Sequence, residues 1–375
     1  MENKLLNISK DKTLFTPGPL TTSRTIKQAM LRDLGSRDKE FIGIITEIRN
    51  NLLALCNTKK GKYETILMQG SGTFGVESVI SSTVPPEGKI LIIINGAYGH
   101  RMVKIANYYK IKYLTLEYPE NSIPNLKEIK KILIQDKEIT NVAVVHCETT
   151  TGIINPIKEI GAIVKNAKRK YFVDAMSSFG AVPIDVEKCS IDYIVSSSNK
   201  CIEGVPGFSF IIAKTTSIKE IKGYSRSLSL DLYEQWFGLD TNGQFRFTPP
   251  THSLMAFKQA LQELKEEGSI VGRAKRYKKN YDVLISGMRK LGFKEYVPTK
   301  LQGYIITSFL YPKHPKFSFE KFYSLLNGKN QVIYPGKLSQ VDCFRIGNIG
   351  RIFEEDVRIL LLVIEETLKE MGIKL

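Results

Sequence analysis

Between residues 64 and 213, short apolar runs alternate with longer amphipathic stretches, and this alternation limits the possible folds more than any other feature. Each apolar run has the length of one buried strand, and most of the intervening stretches can hold a helix. The pattern predicts an α/β domain whose mostly parallel sheet carries helices on both faces. Ligands bind such sheets beyond the carboxyl ends of the strands. The predicted strands cover residues 65–68, 90–94, 113–116, 142–145, 171–173, 193–195 and 208–213.

The pattern changes after about residue 250, where longer helical stretches precede a second group of strands. We therefore predict an N-terminal arm (1–20), a large domain with a seven-stranded type of sheet (21–265) and a smaller C-terminal α+β domain (266–375). Helices are expected at 75–83, 126–133, 157–167, 252–267, 270–291 and 354–371, and further strands at 305–309, 332–334 and 344–346.

Composition excludes several classes of protein. No segment approaches the roughly 18 consecutive apolar residues of a membrane span, and the N-terminus lacks the apolar core of a signal peptide, so we expect a cytoplasmic protein without membrane association. The five scattered cysteines form neither a disulfide framework nor a zinc motif. A net charge of +16 fits an anionic partner, but the lysines are spread along the chain among acidic residues, which favours general surface charge. We expect no bound metal and no nucleic acid partner.

Lys200 and Asp174 each follow a predicted buried strand. Lys200 comes after the polar run 196–198 and Asn199, and Asp174 directly ends the run 171–173. An amine and a carboxylate at neighbouring strand ends are what pyridoxal phosphate requires. The lysine forms a Schiff base, and the acid keeps the pyridine nitrogen protonated.

A glycine-rich turn, residues 70–75, matches the GxGxxG pattern between a predicted strand and a helix. A dinucleotide site is disfavoured because the next strand is followed by Asn95, where such sites carry an acidic residue. The turn is better suited to one phosphate, which the backbone N–H groups and the Ser71 and Thr73 hydroxyls could bind at the helix N-terminus. An ordinary tight turn is the alternative.

Three further features of the sequence allow two interpretations each. His146 and Glu148 form an H-x-E pattern, but the paired cysteines of zinc deaminases are missing, so a polar loop after a strand is favoured. Arg345 lies in an apolar strand, where it either pairs with an acid or binds a carboxylate or phosphonate through its planar fork. Tyr98 either packs in the core or stacks on a flat heteroaromatic ring.

Many such segments, in one order along nearly the whole chain, resemble the class V, fold-type I aminotransferases. No single segment is specific, whereas the ordered set is. The segments are 16–23, 70–73, 95–99, 146–152, 173–178, 198–202, 204–208, 225–233, 247–252, 333–337 and 344–350.

The resemblance implies a homodimer that binds pyridoxal 5'-phosphate in shared active sites. It makes Lys200 the Schiff-base lysine and Asp174 the partner of the pyridine nitrogen. One departure is Phe245, which stands where the motif around Thr248 usually has tryptophan and bears on packing rather than chemistry. The other expected roles are phosphate binding by Ser71, Gly72 and Thr73 with Asn199 nearby, ring stacking by Tyr98, an approach to the phenolic oxygen by Thr149, contact with the neighbouring subunit's cofactor phosphate by Thr248, and substrate binding by Arg345 and Gly18.

Within this family the segments are most similar to the transaminases that act on 2-aminoethylphosphonate and pyruvate. The implied products are phosphonoacetaldehyde and L-alanine, in organic phosphonate catabolism. We expect Arg345 to serve both anionic substrates, helped by the backbone of residues 18–20 and by one of Arg24, Arg32 or Arg226.

The closest alternative is a sibling aminotransferase of alanine:glyoxylate or serine:pyruvate type. A cysteine desulfurase is disfavoured because Cys343 adjoins an apolar strand rather than lying on a flexible loop. A basic nucleic-acid-binding protein would explain the charge but neither Lys200 nor Asp174.

Overall fold

A seven-stranded sheet with helices packed against it dominates the computed structural model, which describes residues 11–336, 338 and 341–375. The described strands are β1 (Thr13–Leu14), β2 (Tyr63–Gln69), β3 (Lys89–Ile94), β4 (Lys112–Glu117), β5 (Ile139–Val145), β6 (Cys147–Glu148), β7 (Ile153–Ile154), β8 (Lys170–Asp174), β9 (Tyr193–Ser197), β10 (Phe208–Lys214), β11 (Ile306–Leu310), β12 (Gln331–Val332), β13 (Tyr334–Pro335) and β14 (Cys343–Gly347). The described helices are α1 (Arg24–Gln28), α2 (Lys39–Leu55), α3 (Gly72–Thr83), α4 (Ala97–Tyr108), α5 (Leu126–Gln135), α6 (Ile157–Asn166), α7 (Thr215–Glu220), α8 (Leu232–Thr241), α9 (Thr251–Glu266), α10 (Ser269–Lys290), α11 (Phe319–Gly328) and α12 (Glu354–Glu370).

The large sheet has the strand order β2-β10-β9-β8-β5-β3-β4. Strand β10 is antiparallel to both of its neighbours, and the other neighbouring pairs are parallel. From β3 the chain first reaches β4 on one side and then β5 on the other, so the topology switches direction between β3 and β5. Such a switch point leaves a crevice at the carboxyl ends of the strands. The predicted fold class, a mostly parallel sheet in an α/β protein, is confirmed.

The strands of this sheet are nearly continuously apolar because most of them are buried on both faces. Strand β5 is buried at all but one of its positions, and β9 is buried throughout. Among the described residues, the apolar side chains form one large core between residues 26 and 264, a second core from Phe15 and residues 284–373, and a small third cluster that both parts of the chain share. The two larger cores are consistent with the predicted domain boundaries, which stay a prediction, and residues 1–10 of the predicted arm lie outside the described part.

The single strand predicted at residues 332–334 is wrong. The chain forms two short strands there, with β12 parallel to β1 and β13 antiparallel to β14. Ile333, fully buried between them, marks the point where the backbone changes partners. The apolar run is continuous in sequence, so it does not reveal the change. Lys337, the last residue of the predicted motif 333–337, lies outside the described residues.

A buried ionic cluster joins helix α10 to the loop that carries Lys200. Glu203 accepts hydrogen bonds from Arg276 at 2.7 Å and from the Tyr277 hydroxyl at 2.5 Å. Arg273 donates to the carbonyl oxygen of Cys201 at 2.5 Å. Because Cys201 directly follows Lys200, this cluster fixes the backbone of the lysine loop against the first helix of the C-terminal part.

Candidate active site

Several loops at the carboxyl ends of the strands enclose a cavity of about 170 Å³. The loops follow β2, β3, β8 and β9, beside the topological switch point. Seven of the predicted site residues lie together in its wall. The lining residues are Ser71, Gly72, Thr73, Val76, Tyr98, Arg101, Asp174, Met176, Ser197, Asn199 and Lys200.

The amine of Lys200 is held in this cavity by the N-terminal segment. Its Nζ donates to the carbonyl oxygen of Pro17 at 2.5 Å. Gly18 has a φ of +116°, and a Cβ there would lie 2.8 Å from Nζ, so only glycine permits this approach. Burial lowers the pKa of the Lys200 ammonium to about 8, against an opposing effect of Asp174. The amine is therefore far easier to deprotonate than an exposed lysine.

Asp174 ends strand β8 and is almost fully buried. The Met176 backbone N–H donates to its Oδ1 at 2.9 Å. Burial raises the pKa of the Asp174 carboxyl to about 6, although this hydrogen bond and the charges of Arg101 and Lys200 act in the opposite direction. The buried Asp174 and the half-buried Lys200 thus line one cavity, and their roles stay a prediction.

The glycine-rich turn forms the cradle at the other end of the cavity. Gly70 has a φ of +99°, Ser71 is the extended N-cap residue, and helix α3 begins at Gly72. The Ser71 side chain makes no capping hydrogen bond to its own helix. The first N–H groups of α3 have no intrahelical acceptors and carry the positive end of the helix dipole. The cradle is thus suited to an anion, as expected.

Tyr98 and Arg101 lie on the first turns of helix α4, which follows β3. The guanidinium carbon of Arg101 is 4.8 Å from the centroid of the Tyr98 ring. Arg101 also donates to the Thr73 hydroxyl at 3.0 Å, so it connects the cradle to the aromatic ring.

A buried carboxylate, Glu148, joins the two loops at the switch point. Its oxygen atoms accept hydrogen bonds from the Tyr98 backbone N–H at 3.2 Å and from the Thr150 hydroxyl at 3.0 Å. Burial raises the pKa of Glu148 to about 7. The next residue, Thr149, offers its carbonyl oxygen to Arg345 at 2.9 Å. Arg345 is therefore connected to Tyr98, which lines the cavity, through the loop of Glu148 and Thr149.

The H-x-E pair, His146 and Glu148, is not part of a cluster of metal-ligating side chains in the part of the chain that the structure describes. Within the described residues, no three His, Cys, Asp or Glu side chains cluster as a metal ion would require. The His146 ring lies within hydrogen-bond distance of Ser178 at 2.8 Å, and burial lowers the pKa of the imidazole to about 4. Like Glu148, His146 is buried and does not line the cavity.

The chain matches the family model "Aminotransferase class-V" over residues 21–332. It belongs to the class V aminotransferases. A 2-aminoethylphosphonate–pyruvate transaminase of Phocaeicola vulgatus is 51% identical over 358 residues, which cover 95% of this chain and 99% of that protein. A protein of the same name from Lysinibacillus sphaericus is 50% identical over 352 residues, covering 94% and 96%. The family predicted from the sequence is confirmed.

Solved structures of the same fold extend over almost the entire chain. An alanine–glyoxylate aminotransferase from Nostoc sp. has a TM-score of 0.89 at 24% identity, covering 98% of both chains. A ureidoglycine-glyoxylate aminotransferase from Bacillus subtilis has a TM-score of 0.88 at 24% identity and covers 96% of this chain and 94% of that chain. At this identity the likeness establishes the fold.

Four predicted site residues do not line this cavity: Gly18, Thr149, Thr248 and Arg345. Gly18 and Thr149 contact Lys200 and Arg345, as described above, whereas Thr248 lies on the surface. It is exposed, and its carbonyl oxygen accepts from the Gln69 side chain at 3.3 Å, beside the cradle. Phe245 is half-buried and packs against the edge of the large core.

The three arginines suggested as helpers of Arg345 lie elsewhere in this chain. Arg226 donates to the carbonyl oxygens of Ser81, Val84 and Pro85 at the end of α3 and does not line the cavity. It therefore does not help Arg345 bind a substrate in the cavity of its own subunit. Arg24 and Arg32 are exposed and do not line the cavity, and Arg32 pairs with Glu40.

Sequence reasoning missed Arg101 and Glu148 as site residues. Arg101 stands three residues after Tyr98, a spacing that puts both on one face of a helix. That spacing was the available signal. Glu148 was considered only as part of a zinc motif, although its position directly before Thr149 at a strand end could have indicated the site.

Proposed function

We propose that this aminotransferase transfers the amino group of 2-aminoethylphosphonate to pyruvate with pyridoxal 5'-phosphate as cofactor. The observation that carries the proposal is that one cavity holds the amine of the half-buried Lys200, the buried carboxylate of Asp174 and an anion cradle. The names of relatives about half identical over nearly the whole chain support the choice of substrates. The products are phosphonoacetaldehyde and L-alanine.

The residues present fit this cofactor. Its phosphate matches the cradle of Ser71, Gly72 and Thr73, beside which Asn199 accepts a hydrogen bond from Ser197 at 3.1 Å. We assign the ring nitrogen to Asp174, the ring face to Tyr98, the phenolic oxygen to Thr149 and the aldehyde carbon to Lys200. When bound, the cofactor supplies an electron-poor ring that accepts the electron pair of a neighbouring C–H bond.

Lys200 carries the proton in the proposed mechanism. With the cofactor bound, Lys200 would hold it through Nζ until the substrate amine takes that place. The freed Nζ would then be the base that accepts a proton from the carbon bearing the amino group, and the acid that returns it. A pKa of about 8 suits both directions of this transfer, because the amine changes protonation state readily near neutral pH. Pyruvate enters afterwards, and the same steps run in reverse.

Asp174 sets the charge of the site. Burial alone disfavours its ionised form, but a cationic ring nitrogen beside it would restore the carboxylate. The carboxylate in turn keeps that nitrogen protonated, which makes the ring the stronger electron acceptor.

Arg345 and Gly18 are the proposed substrate-binding residues. The guanidinium of Arg345 is oriented by the carbonyl oxygens of Thr149 and Pro335, at 2.9 and 3.0 Å, and its carbon lies 5.0 Å from the centroid of the Tyr334 ring. These contacts fix a planar cation that suits either a carboxylate or a phosphonate.

Substrate profiling tests the assignment. We expect alanine to form from pyruvate with 2-aminoethylphosphonate, and far more slowly with serine as donor. A preference for serine, or for alanine with glyoxylate, would move the protein to a sibling activity.

Arg345→Gln should raise KM for both proposed substrates, with Arg345→Lys intermediate because it keeps the charge without the fork. Unchanged KM values would contradict the role of Arg345.

We also propose a homodimer in the cytoplasm. Thr248 is exposed next to the cradle, and Phe247 and Phe74 expose apolar rings nearby on the surface. A second subunit would cover these rings and bring its own Thr248 to the phosphate. Light scattering should give twice the mass of the chain, and Thr248→Val should weaken cofactor binding. No helix in the described part of the chain is both long and apolar enough to cross a bilayer.

A further inference from the structure

Arg101 has fewer hydrogen-bond acceptors among the described residues than Arg226, Arg276 or Arg345. Its one hydrogen bond within the described residues goes to a neutral hydroxyl, that of Thr73. No carboxylate forms an ion pair with it in that part of the chain. Arg276, in contrast, donates to two carboxylates, and Arg226 donates to several carbonyl oxygens. A half-buried guanidinium has up to five N–H donors, and most of those on Arg101 remain available.

The surroundings hold Arg101 in one place. The Tyr98 ring lies 4.8 Å from its guanidinium carbon on one side, and Thr73 fixes one nitrogen atom on the other. Its positive charge is close enough to lower the pKa of both Asp174 and Lys200. A fixed, charged group that lines a cavity without a protein counter-ion is arranged for an anionic ligand.

The proposed function brings two anions to this cavity, the cofactor phosphate and the anionic group of the substrate. The position of Arg101 indicates which of them it binds. Thr73 belongs to the cradle at the N-terminus of α3, whereas Arg345 is bound to Thr149 near the substrate end. The helix terminus supplies about half a positive charge. A phosphate ester carries nearly two negative charges at neutral pH, so the cradle alone leaves most of that charge unmatched.

We propose that Arg101 is the cationic partner of the cofactor phosphate, which it would bind next to the Thr73 hydroxyl. The inference rests on the proposed function, since it needs pyridoxal phosphate in this cavity. Arg101 acts here as a binding residue, and Tyr98 keeps its guanidinium in the plane that faces the cradle.

Comparing two ligands that differ only in the phosphate tests this assignment. We would measure the affinity of cofactor-free wild type, Arg101→Gln and Arg101→Lys for pyridoxal phosphate and for pyridoxal, by absorbance titration. Arg101→Gln should weaken pyridoxal phosphate about 10- to 100-fold, the range for losing a charged hydrogen bond. Pyridoxal should change less than about twofold, because it lacks the group that Arg101 binds. Arg101→Lys should lie between wild type and Arg101→Gln.

Lys104→Gln is the matched control, because it removes an exposed positive charge from the same helix. It should leave both affinities as in wild type. Thermal melting of each variant checks that it is folded, and Arg101→Lys keeps the test informative if the glutamine variant does not fold.

Three results would overturn the inference. Equal loss for both ligands would make Arg101 a support for the Tyr98 ring. Unchanged affinity for pyridoxal phosphate with a raised KM for 2-aminoethylphosphonate would assign Arg101 to the substrate. Wild-type protein that binds neither ligand would overturn the proposed function itself, which the other two results leave intact.

Discussion

Replacing Glu148 by glutamine should change how the stability of the cofactor-free protein depends on pH. Glu148 is fully buried, and no ion pair to it exists within the described residues. Burial raises the pKa of its carboxyl from 4.5 to about 7, although hydrogen bonds from Thr150 and Tyr98 act against that rise. The folded protein therefore keeps a proton that the unfolded chain releases at lower pH.

The sign and size of the effect follow from proton linkage. A raised pKa contributes stability that is fully present below pH 4.5 and is lost as the pH rises to about 7. The interval of about 2.5 pH units corresponds to about 3 kcal/mol of unfolding free energy. Glutamine cannot ionise, so the variant should gain about that much relative to wild type between pH 4.5 and 7.

The assay is urea unfolding of cofactor-free wild type and Glu148→Gln at several pH values from 4.5 to 8. We expect one part of the difference in unfolding free energy between the variant and wild type to be the same at every pH, because the glutamine NH₂ must face one of the N–H or O–H donors that now bind the carboxylate. Only the pH-dependent difference tests the argument, since Asp174 and His146 titrate in both proteins. Glu87→Gln, at an exposed site, is the control and should run parallel to wild type. Parallel curves for Glu148→Gln would refute the reasoning.

Three further predictions concern the lysine loop and the switch-point loops. Glu203→Ala removes a buried carboxylate from two arginines and should cost about 3–5 kcal/mol in urea unfolding; a loss below about 1 kcal/mol would contradict the buried cluster. The amine of Lys200 in the cofactor-free protein should react with pyridoxal, trapped by borohydride, with a midpoint near pH 8, and a midpoint near 10 would contradict its burial. Gly96→Ala places a Cβ 2.2 Å from the Glu148 Cγ and should weaken binding of pyridoxal phosphate, whereas Gly43→Ala, with open space around it, should not; equal affinities would show that the loop adjusts freely.

The α/β fold was predictable because strands buried on both faces leave continuous apolar runs in the sequence. All seven strands of the large sheet lie where such runs predict them, with ends shifted by a few residues at most. The prediction failed at Ile333, where one apolar run serves two sheets. The strands of the two-stranded sheets β1–β12 and β6–β7 have two residues each, which is too few to show an alternating pattern in the sequence.

The common location of Asp174 and Lys200 was also predictable, because Asp174 ends strand β8 and Lys200 lies three residues beyond the end of its parallel neighbour β9. Arg101 was missed since a charged residue on an amphipathic helix usually lies on a solvated face. Its environment depends on how α4 packs beside α3, which the sequence does not specify. Thr150, one partner of Glu148, is two residues away, but the other, the Tyr98 backbone N–H, is 50 residues away in the sequence, so the surroundings of Glu148 also depend on tertiary structure.

The visible absorbance of the protein loaded with pyridoxal phosphate tests the central claim most directly. Adding 2-aminoethylphosphonate without pyruvate should convert the band of the bound cofactor to that of its amine form, and pyruvate should then restore the first band. In Lys200→Ala neither change should occur at a comparable rate. A band that ignores 2-aminoethylphosphonate but responds to alanine or serine would contradict the proposed substrate, and a loaded Lys200→Ala protein that turns over like wild type would contradict the mechanism.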